Sequence, residues 1–230
     1  LEEILDRYGL EVQTALPSIA YRETITAPAE GHHRHKKQTG GAGQFGEVYL
    51  RIAPLPAGSG FEFKSAVVGG AIPSQYIPAV ESGVKQAMDS GASYGYPMQD
   101  IEVTVYDGKH HSVDSKEIAF VQAGKKAFLD AVEKARPIVM EPIVDVTFTI
   151  PADCAGGVTG DLSSMRGMVT GTEILPDSRM VVHGQAPLKE IQGYHSRLKS
   201  LTGGDGSFTM DFSHYAEVPR EALDQVAAQN

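Results

Sequence analysis

The stretch KKQTGGAGQFGEVYLRIAPL, residues 36–55, carries the Gly-x-Gly-x-x-Gly spacing of a phosphate-binding loop, from Gly41 to Gly46. In a dinucleotide-binding fold such a loop follows a strand and opens a helix, whose N-terminus holds the pyrophosphate. Here residues 47–55 alternate apolar and polar side chains and include Pro54, which indicates a strand. The glycines are therefore predicted to lie in the turn of a β-hairpin, and a dinucleotide-binding fold is excluded.

Two other nucleotide folds are also excluded. A kinase glycine loop lies between strands, but it needs His-Arg-Asp and Asp-Phe-Gly downstream, and neither tripeptide occurs. No Gly-x-x-x-x-Gly-Lys-Ser/Thr segment is present either. Two interpretations of the glycines remain. One is a flexible hairpin turn with positive φ angles. The other is a loop kept free of bulk, beside Lys36, Lys37 and Gln38, because a nucleic-acid backbone must approach.

The residues around the hairpin predict a mixed α+β domain. Strands are expected at 32–39, 47–55, 61–69 and 100–108. A first helix is expected to be capped by Ser74, with an apolar stripe of Ile77, Val80, Val84 and Met88. A second helix is expected after a capping box of Asp114 and Glu117. Its apolar face comprises Ile118, Val121, Phe128, Ala131, Val132 and Ala135, and Pro137 ends it.

The last third of the chain predicts a βαββαβ order, which is the ferredoxin-like arrangement. Strands are expected at 143–150, 167–175, 179–188 and 206–212, with helices at 153–165 and 189–201. The first of these helices contains Gly156, Gly157 and Gly160, which weaken a helix and suggest close packing or approach by RNA.

Composition indicates a soluble globular protein, because 41% of the 230 residues are hydrophobic and 21% are charged. No apolar run reaches the ~20 residues of a membrane helix, and no signal peptide is visible. The single cysteine, Cys154, excludes an internal disulfide and favours the cytoplasm, where we expect it to be a packed side chain. Because the first residue is Leu1, we expect a fragment or a processed product.

Charge is unevenly distributed along the chain, whose net charge is −9. Residues 32–51 hold four Lys or Arg and one Glu, a net charge of +3, whereas residues 142–230 hold six Lys or Arg and eleven Asp or Glu, a net charge of −5. A second polar loop, residues 107–115, supplies His110 and His111, which could join the glycine loop at the basic end. His33 and His35 share one face of a strand, and an exposed polar strand is favoured over a metal site there.

Six segments resemble, in order and spacing, the C-terminal part of bacterial elongation factor G. They are YRETI, KKQTGGAGQFGEV, GFEFKSAVVGGAIPSQYIPAVESGVKQAM, GYPMQDIEVTVYDGKHHSVDS, GDLSSMRG and GSFTMDFSHYAEVP, and together they extend over nearly the entire chain. The resemblance implies the end of a third domain at 1–20, an elongated tip domain at 21–141 and a ferredoxin-like fifth domain at 142–230. It also implies an unusual left-handed βαβ crossover in the tip domain and a short helix at 220–228.

The resemblance further implies a ribosome-binding segment of a translational GTPase that promotes movement of tRNA and mRNA. The tip domain is expected to enter the decoding centre, and the fifth domain to lie near the sarcin-ricin loop and the stalk base. RNA contacts are expected from Lys36, Lys37, Gln38, Gly41, Gly43, Gln44, His110 and His111, of which His111 matches the family's tip histidine. GTP and Mg²⁺ belong to an N-terminal domain outside this chain, so we expect a monomeric, cytoplasmic module without a catalytic site, cofactor or metal.

Four positions depart from the family pattern. Ala42 stands where arginine is usual, Met165 and Met168 stand in a segment that is usually rich in arginine, and Asp205 lies in a turn that is commonly basic. Each departure removes a phosphate contact, which suggests a divergent paralogue. A ribosomal-protection or recycling paralogue and a non-catalytic protein-interaction module therefore remain as alternatives.

Overall fold

The computed structural model describes residues 17–38 and 43–227, which form two compact units. The first unit contains Tyr21–Glu141 together with the segment that begins at His214. The second unit contains Pro142–Ser213 and the described residues before Tyr21. The sequence had grouped the segment from His214 with the fifth domain. Most of the segment that was expected to be the end of a third domain, residues 1–20, lies outside the described residues, which begin at Pro17.

A four-stranded sheet organises the first unit, with the order β2-β3-β5-β4. Its strands are β2 (Ala29–Lys37), β3 (Gln44–Pro54), β4 (Phe61–Ser65) and β5 (Ile101–Lys109). β2 and β3 form the predicted antiparallel hairpin, and β3 and β5 are also antiparallel. β4 and β5 are parallel, so helix α1 (Ile77–Ser90) between them makes the predicted βαβ crossover.

Two helices, α1 and α2 (Glu117–Lys134), pack with one face of this sheet around a common core. Alternate residues of the central strands supply the sheet side of the core because successive strand side chains point to opposite faces. Val48, Leu50, Ile52, Ile101, Val103 and Val105 are all buried. α2 approaches β2 so closely that a Cβ at Gly31 would lie 2.0 Å from the carbonyl oxygen of Ala127. Only glycine fits there.

The first unit also has a short strand that the sequence analysis did not predict. β1 (Arg22–Ile25) pairs antiparallel with the first residues of β6 (Pro137–Pro151). The predicted C-terminal helix is present as α6 (Arg220–Ala227), and the hydroxyl of Tyr96 donates a hydrogen bond to the carbonyl of Val226 at 2.8 Å.

The second unit has the predicted ferredoxin-like order. In sequence it contains β6, α3 (Ala155–Ser164), β7 (Met168–Ile174), β8 (Arg179–Pro187), α4 (Leu188–Ile191), α5 (His195–Thr202) and β9 (Ser207–Glu217). β6 lies between β8 and β9, and β7 forms the other edge beside β8. Its buried core includes Val146, Phe148, Leu162, Ile191 and Leu198. The α+β fold class is therefore confirmed.

Three local predictions are wrong. Ser74 begins a 3-10 turn whose cap is Pro73, and α1 starts only at Ile77. α2 has no side-chain cap, because its N-cap residue is Lys116 and not Asp114, and Ile118 is 47% exposed. The single helix predicted at 189–201 is broken into α4 and α5, with an extended Gln192 and a positive φ of 86° at Gly193.

The glycines of α3 have different surroundings. A Cβ at Gly157 would press against Leu201, whereas Gly156 and Gly160 face open space. Close packing therefore explains Gly157 alone. Within 17–38 and 43–227, no helix has the length and apolar character needed to cross a membrane.

Candidate nucleic-acid interface

Strand directions bring three loops to one end of the four-stranded sheet. The start of β3 pairs with the end of β5, so the described residues that flank the β2-β3 turn, Gln38 and Gly43, lie beside the loop at 110–116. β4 runs parallel to β5, so the loop at 66–73 lies at the same end. We call this end the tip. The two polar loops that the sequence analysis singled out therefore meet there.

Hydrogen bonds join these two loops. The backbone N–H of Phe45 donates to the carbonyl of Asp114 at 2.9 Å, and the Ser115 hydroxyl donates to the carbonyl of Phe45 at 2.9 Å. A Cβ at Gly43 would lie 2.6 Å from a carboxylate oxygen of Asp114. A side chain at position 43 would therefore have to displace the Asp114 carboxylate, a contact that neither interpretation of the glycines anticipated.

The His111 side chain is oriented by its own loop. Its Nδ1 accepts hydrogen bonds from the backbone N–H groups of Val113, at 3.3 Å, and Asp114, at 3.2 Å. The ring centre lies 6.3 Å from that of Phe45, and the side chain is 52% exposed. The imidazole is therefore held by the loop while half of it remains open to solvent.

A small cleft of about 160 Å³ opens between the loops. Its lining comprises Lys36, Gln38, Gln44, Phe45, His111 and Asp114. Cationic, amide, imidazole and aromatic groups meet here, and these are the groups that read phosphates, sugars and unstacked bases in RNA. The lining is polar on all sides except at Phe45.

The structure places the eight predicted contact residues differently. Lys36, Gln38, Gln44 and His111 share the cleft, and Gly43 adjoins it through Asp114. Lys37 is exposed on β2 but does not line the cleft. The Nδ1 of His110 lies 3.2 Å from the carbonyl oxygen of Ala71, so this ring faces the loop at 66–73. Gly41 lies outside the described residues.

Sequence reasoning missed several tip residues. Asp114 was assigned to a helix cap, and Phe45 and Ser115 were given no role, although they join the loops. The sequence predicts a strand over 61–69, whereas the strand ends at Ser65 and residues 66–73 form a loop. Its Gly69-Gly70 pair, with φ angles of 65° and 71°, is a turn signal that could have placed it.

The basic residues of the hairpin differ in whether their charges are paired within the protein. Arg34 forms a 3.0 Å ion pair with Glu47, which is 2% exposed and also lies 2.8 Å from His32. Burial acts to raise the pKa of Glu47, but hydrogen bonds from Arg34 and His32 outweigh it and leave the pKa lowered. In the described part of the chain, Lys36 and Lys37 have no ion-pair partner and can meet phosphate directly.

Replacing Arg34 by alanine is expected to destabilise the chain near neutral pH and to have less effect in acid. The depressed pKa of Glu47 means that its ion pair stabilises the fold above the ordinary glutamate pKa of about 4.3, and that this stability is lost as pH falls. Urea unfolding of both proteins from about pH 7 to about pH 3 measures the difference. A difference that does not shrink in acid would contradict this account.

The other candidate groups support structural roles. His33 and His35 lie on β2, and the described residues contain no cluster of three or more His, Cys, Asp or Glu that could hold a metal ion. The Cys154 thiol lies 3.5 Å from the carbonyl of Leu201, and desolvation, with Asp153 nearby, raises its thiol pKa. A raised pKa does not favour a reactive thiolate.

Two family models match successive parts of the chain. The family model described as "Elongation factor G, domain IV" matches residues 17–136, and that described as "Elongation factor G C-terminus" matches residues 138–226. The chain is 46% identical over 233 residues to elongation factor G of Aquifex pyrophilus, covering 100% of this chain and 33% of the relative.

A solved structure shows the same fold. A crystal structure of a protein from Thermus thermophilus superposes with a TM-score of 0.86 at 41% identity, covering 99% of this chain and 34% of that one. The chain thus spans about a third of the length of these relatives. One family model describes domain IV and the other describes the C-terminus, and together they match almost every described residue. This chain belongs to the elongation factor G family and corresponds to the C-terminal part of that factor.

Proposed function

We propose that this chain is the ribosome-binding segment of a translational GTPase that promotes movement of tRNA and mRNA. The tip carries this proposal, since two loops from separate parts of the sequence are joined there around a polar cleft. The matching relatives are elongation factors, which does not favour the ribosomal-protection, recycling or protein-interaction alternatives. GTP hydrolysis is assigned to the remaining two thirds of such a protein.

The tip is proposed to contact RNA through polar groups of several kinds. Lys36 and Lys37 meet phosphates as exposed cations, while Gln38 and Gln44 offer amide donors and acceptors. These contacts suit an RNA that is partly single-stranded, such as the codon-anticodon region of the decoding centre.

The contribution of the chain is then mechanical. The first unit is proposed to occupy the decoding centre after the tRNA has moved, so that backward movement is blocked by its volume. The second unit is assigned to the sarcin-ricin loop and the stalk base through the family. The two compact cores favour a role in which each unit acts as a preformed body.

RNA affinity is proposed to be concentrated at the tip. In the second unit, Met165 packs against the core, Met168 is 60% exposed, and Asp205 is exposed in a turn. None of these groups can neutralise a phosphate. Arginines at the matching family positions would add contacts that this chain lacks.

Changing Lys36, Lys37 and His111 together to alanine is expected to weaken binding to ribosomes by about tenfold to a hundredfold, because charged and neutral hydrogen bonds to RNA are lost. The dependence of binding on salt should also become shallower, by roughly one unit of slope per phosphate contact. Co-sedimentation of the chain with ribosomes across a salt series measures both quantities.

The matched control is a Lys126→Ala, Lys134→Ala variant. It also removes two positive charges, but from α2 and from residues that do not line the cleft. It should bind like the unmodified chain. If the triple variant binds as tightly as the control at every salt concentration, the tip is not the RNA contact and the proposed function fails.

A further inference from the structure

We propose that Ser115 and the backbone of Val113 and Asp114 fix the ring of His111 with Nδ1 as a hydrogen-bond acceptor, so that Nε2–H is presented to RNA. On this proposal His111 binds RNA by donating one hydrogen bond from Nε2. The identity of the ligand rests on the proposed function, whereas the state of the ring rests on the loop geometry alone.

The hydrogen bonds at Nδ1 decide the tautomer. Two backbone N–H groups, from Val113 and Asp114, point at this nitrogen. A nitrogen that accepts hydrogen bonds cannot carry the proton, so in a neutral ring the proton lies on Nε2. A proton on Nδ1 would bring three N–H groups together with no acceptor among them, and both hydrogen bonds would be lost.

Ser115 is the positioning residue for this ring. Its hydroxyl accepts the backbone N–H of His111 at 2.8 Å and donates to the carbonyl of Phe45 at 2.9 Å. Its own N–H donates to the carbonyl of His111 at 3.1 Å. Both peptide groups of His111 are thereby tied to one serine, which in turn is tied to β3.

Two charged side chains and three uncharged ones surround the ring. The nearest charge is Asp114, with a carboxylate oxygen 3.6 Å from Nδ1, and Lys36 lines the same cleft with the opposite charge. The other cleft side chains, Gln38, Gln44 and Phe45, are uncharged. Among the described residues Nε2 has no hydrogen-bond partner, and it is the ring nitrogen left for an RNA acceptor.

The state of the ring is tested directly by NMR. A long-range proton–nitrogen correlation spectrum of the chain reports the tautomer of each of its eight histidines, and the His111→Gln variant assigns the signals of His111. The expected result is the Nε2–H tautomer. Ser115→Ala should give a mixture of tautomers, and Ser115→Thr, which keeps the hydroxyl, should preserve the single form. A Nδ1–H tautomer, or a mixture in the unmodified chain, would overturn the proposal.

The contact is tested by two amide variants in the ribosome co-sedimentation assay. The amide nitrogen of glutamine can reach the position of Nε2, whereas that of asparagine reaches only the position of Nδ1. We therefore expect His111→Gln to bind within about threefold of the unmodified chain and His111→Asn to bind about tenfold more weakly, the effect of one hydrogen bond.

Equal binding by the glutamine and asparagine variants would overturn the proposal. Failure of the unmodified chain to bind ribosomes would instead refute the proposed function, while the NMR spectrum would still decide the state of His111.

Discussion

Replacing Glu23 by alanine is expected to lower the free energy of unfolding by about 3–5 kcal/mol. The carboxylate is fully buried and accepts four backbone hydrogen bonds, at 2.9 to 3.3 Å, from Ala92, Ser93, Tyr94 and Tyr96. Alanine would leave these N–H groups without an acceptor, and each buried, unpaired donor costs about 1–3 kcal/mol before water enters. Chemical denaturation of the two proteins measures the loss.

Glu23→Gln is the matched control for this prediction. Oε1 of Glu23 accepts from Ala92, Tyr94 and Tyr96, and the amide oxygen of glutamine can keep all three contacts. Only the hydrogen bond from the Ser93 N–H to Oε2 is lost, so the free energy of unfolding should fall by about 1–2 kcal/mol. Equal losses for the two variants would mean that the carboxylate is not what organises the loop at 91–96.

Replacing Gly83 by alanine is expected to lower the free energy of unfolding by about 3 kcal/mol, although alanine alone favours a helix by about 1 kcal/mol. A Cβ at this position would lie 2.1 Å from the carbonyl oxygen of Val121 and 2.9 Å from the backbone nitrogen of Lys125. Both obstacles are backbone atoms of α2, so α1 and α2 would have to separate. Thermal and urea unfolding both report this change.

Ser82→Ala is the control for Gly83→Ala, since Ser82 precedes Gly83 in α1 and is exposed. This change should alter stability by less than about 0.5 kcal/mol. A Gly83→Ala variant as stable as the unmodified chain would show that the two helices are not held at the spacing described.

The periodic spacing of apolar residues predicted most helices and strands, because this spacing corresponds to the buried face of each element. The alternation in β3 and β5 and the apolar stripe of α1 correspond to buried faces in the structure. Caps and short strands were less predictable, because they depend on contacts distant in sequence. β1 forms by pairing with residues 137–140, and Asp114 contacts β3 and Gly43 instead of capping α2.

The candidate site was predictable in part. The glycine spacing and the paired histidines located both polar loops, and the family resemblance identified His111. The arrangement of the loops could not be predicted, because it depends on the hydrogen bond from the Ser115 hydroxyl to Phe45, 70 positions away. Such a contact leaves no periodic pattern in the sequence. The ion pair of Arg34 with Glu47, which reduces the charge available at the tip, likewise appears only after the strands are paired.

The central claim, that the tip reaches the RNA of the decoding centre, is tested most directly by radical cleavage from a tethered iron chelate. Val113→Cys, in a chain whose only cysteine is removed by Cys154→Ala, places the chelate on a tip side chain that is 77% exposed. Asp89→Cys places it near the end of α1, roughly 20 Å along the helix from the tip. The RNA of ribosomes bound by each protein is then mapped for strand breaks.

We expect breaks in the decoding-centre RNA of the small subunit from Val113→Cys, and weaker or different breaks from Asp89→Cys. Breaks from Val113→Cys no stronger than those from the cysteine-free protein, or the same pattern from both positions, would contradict the claim.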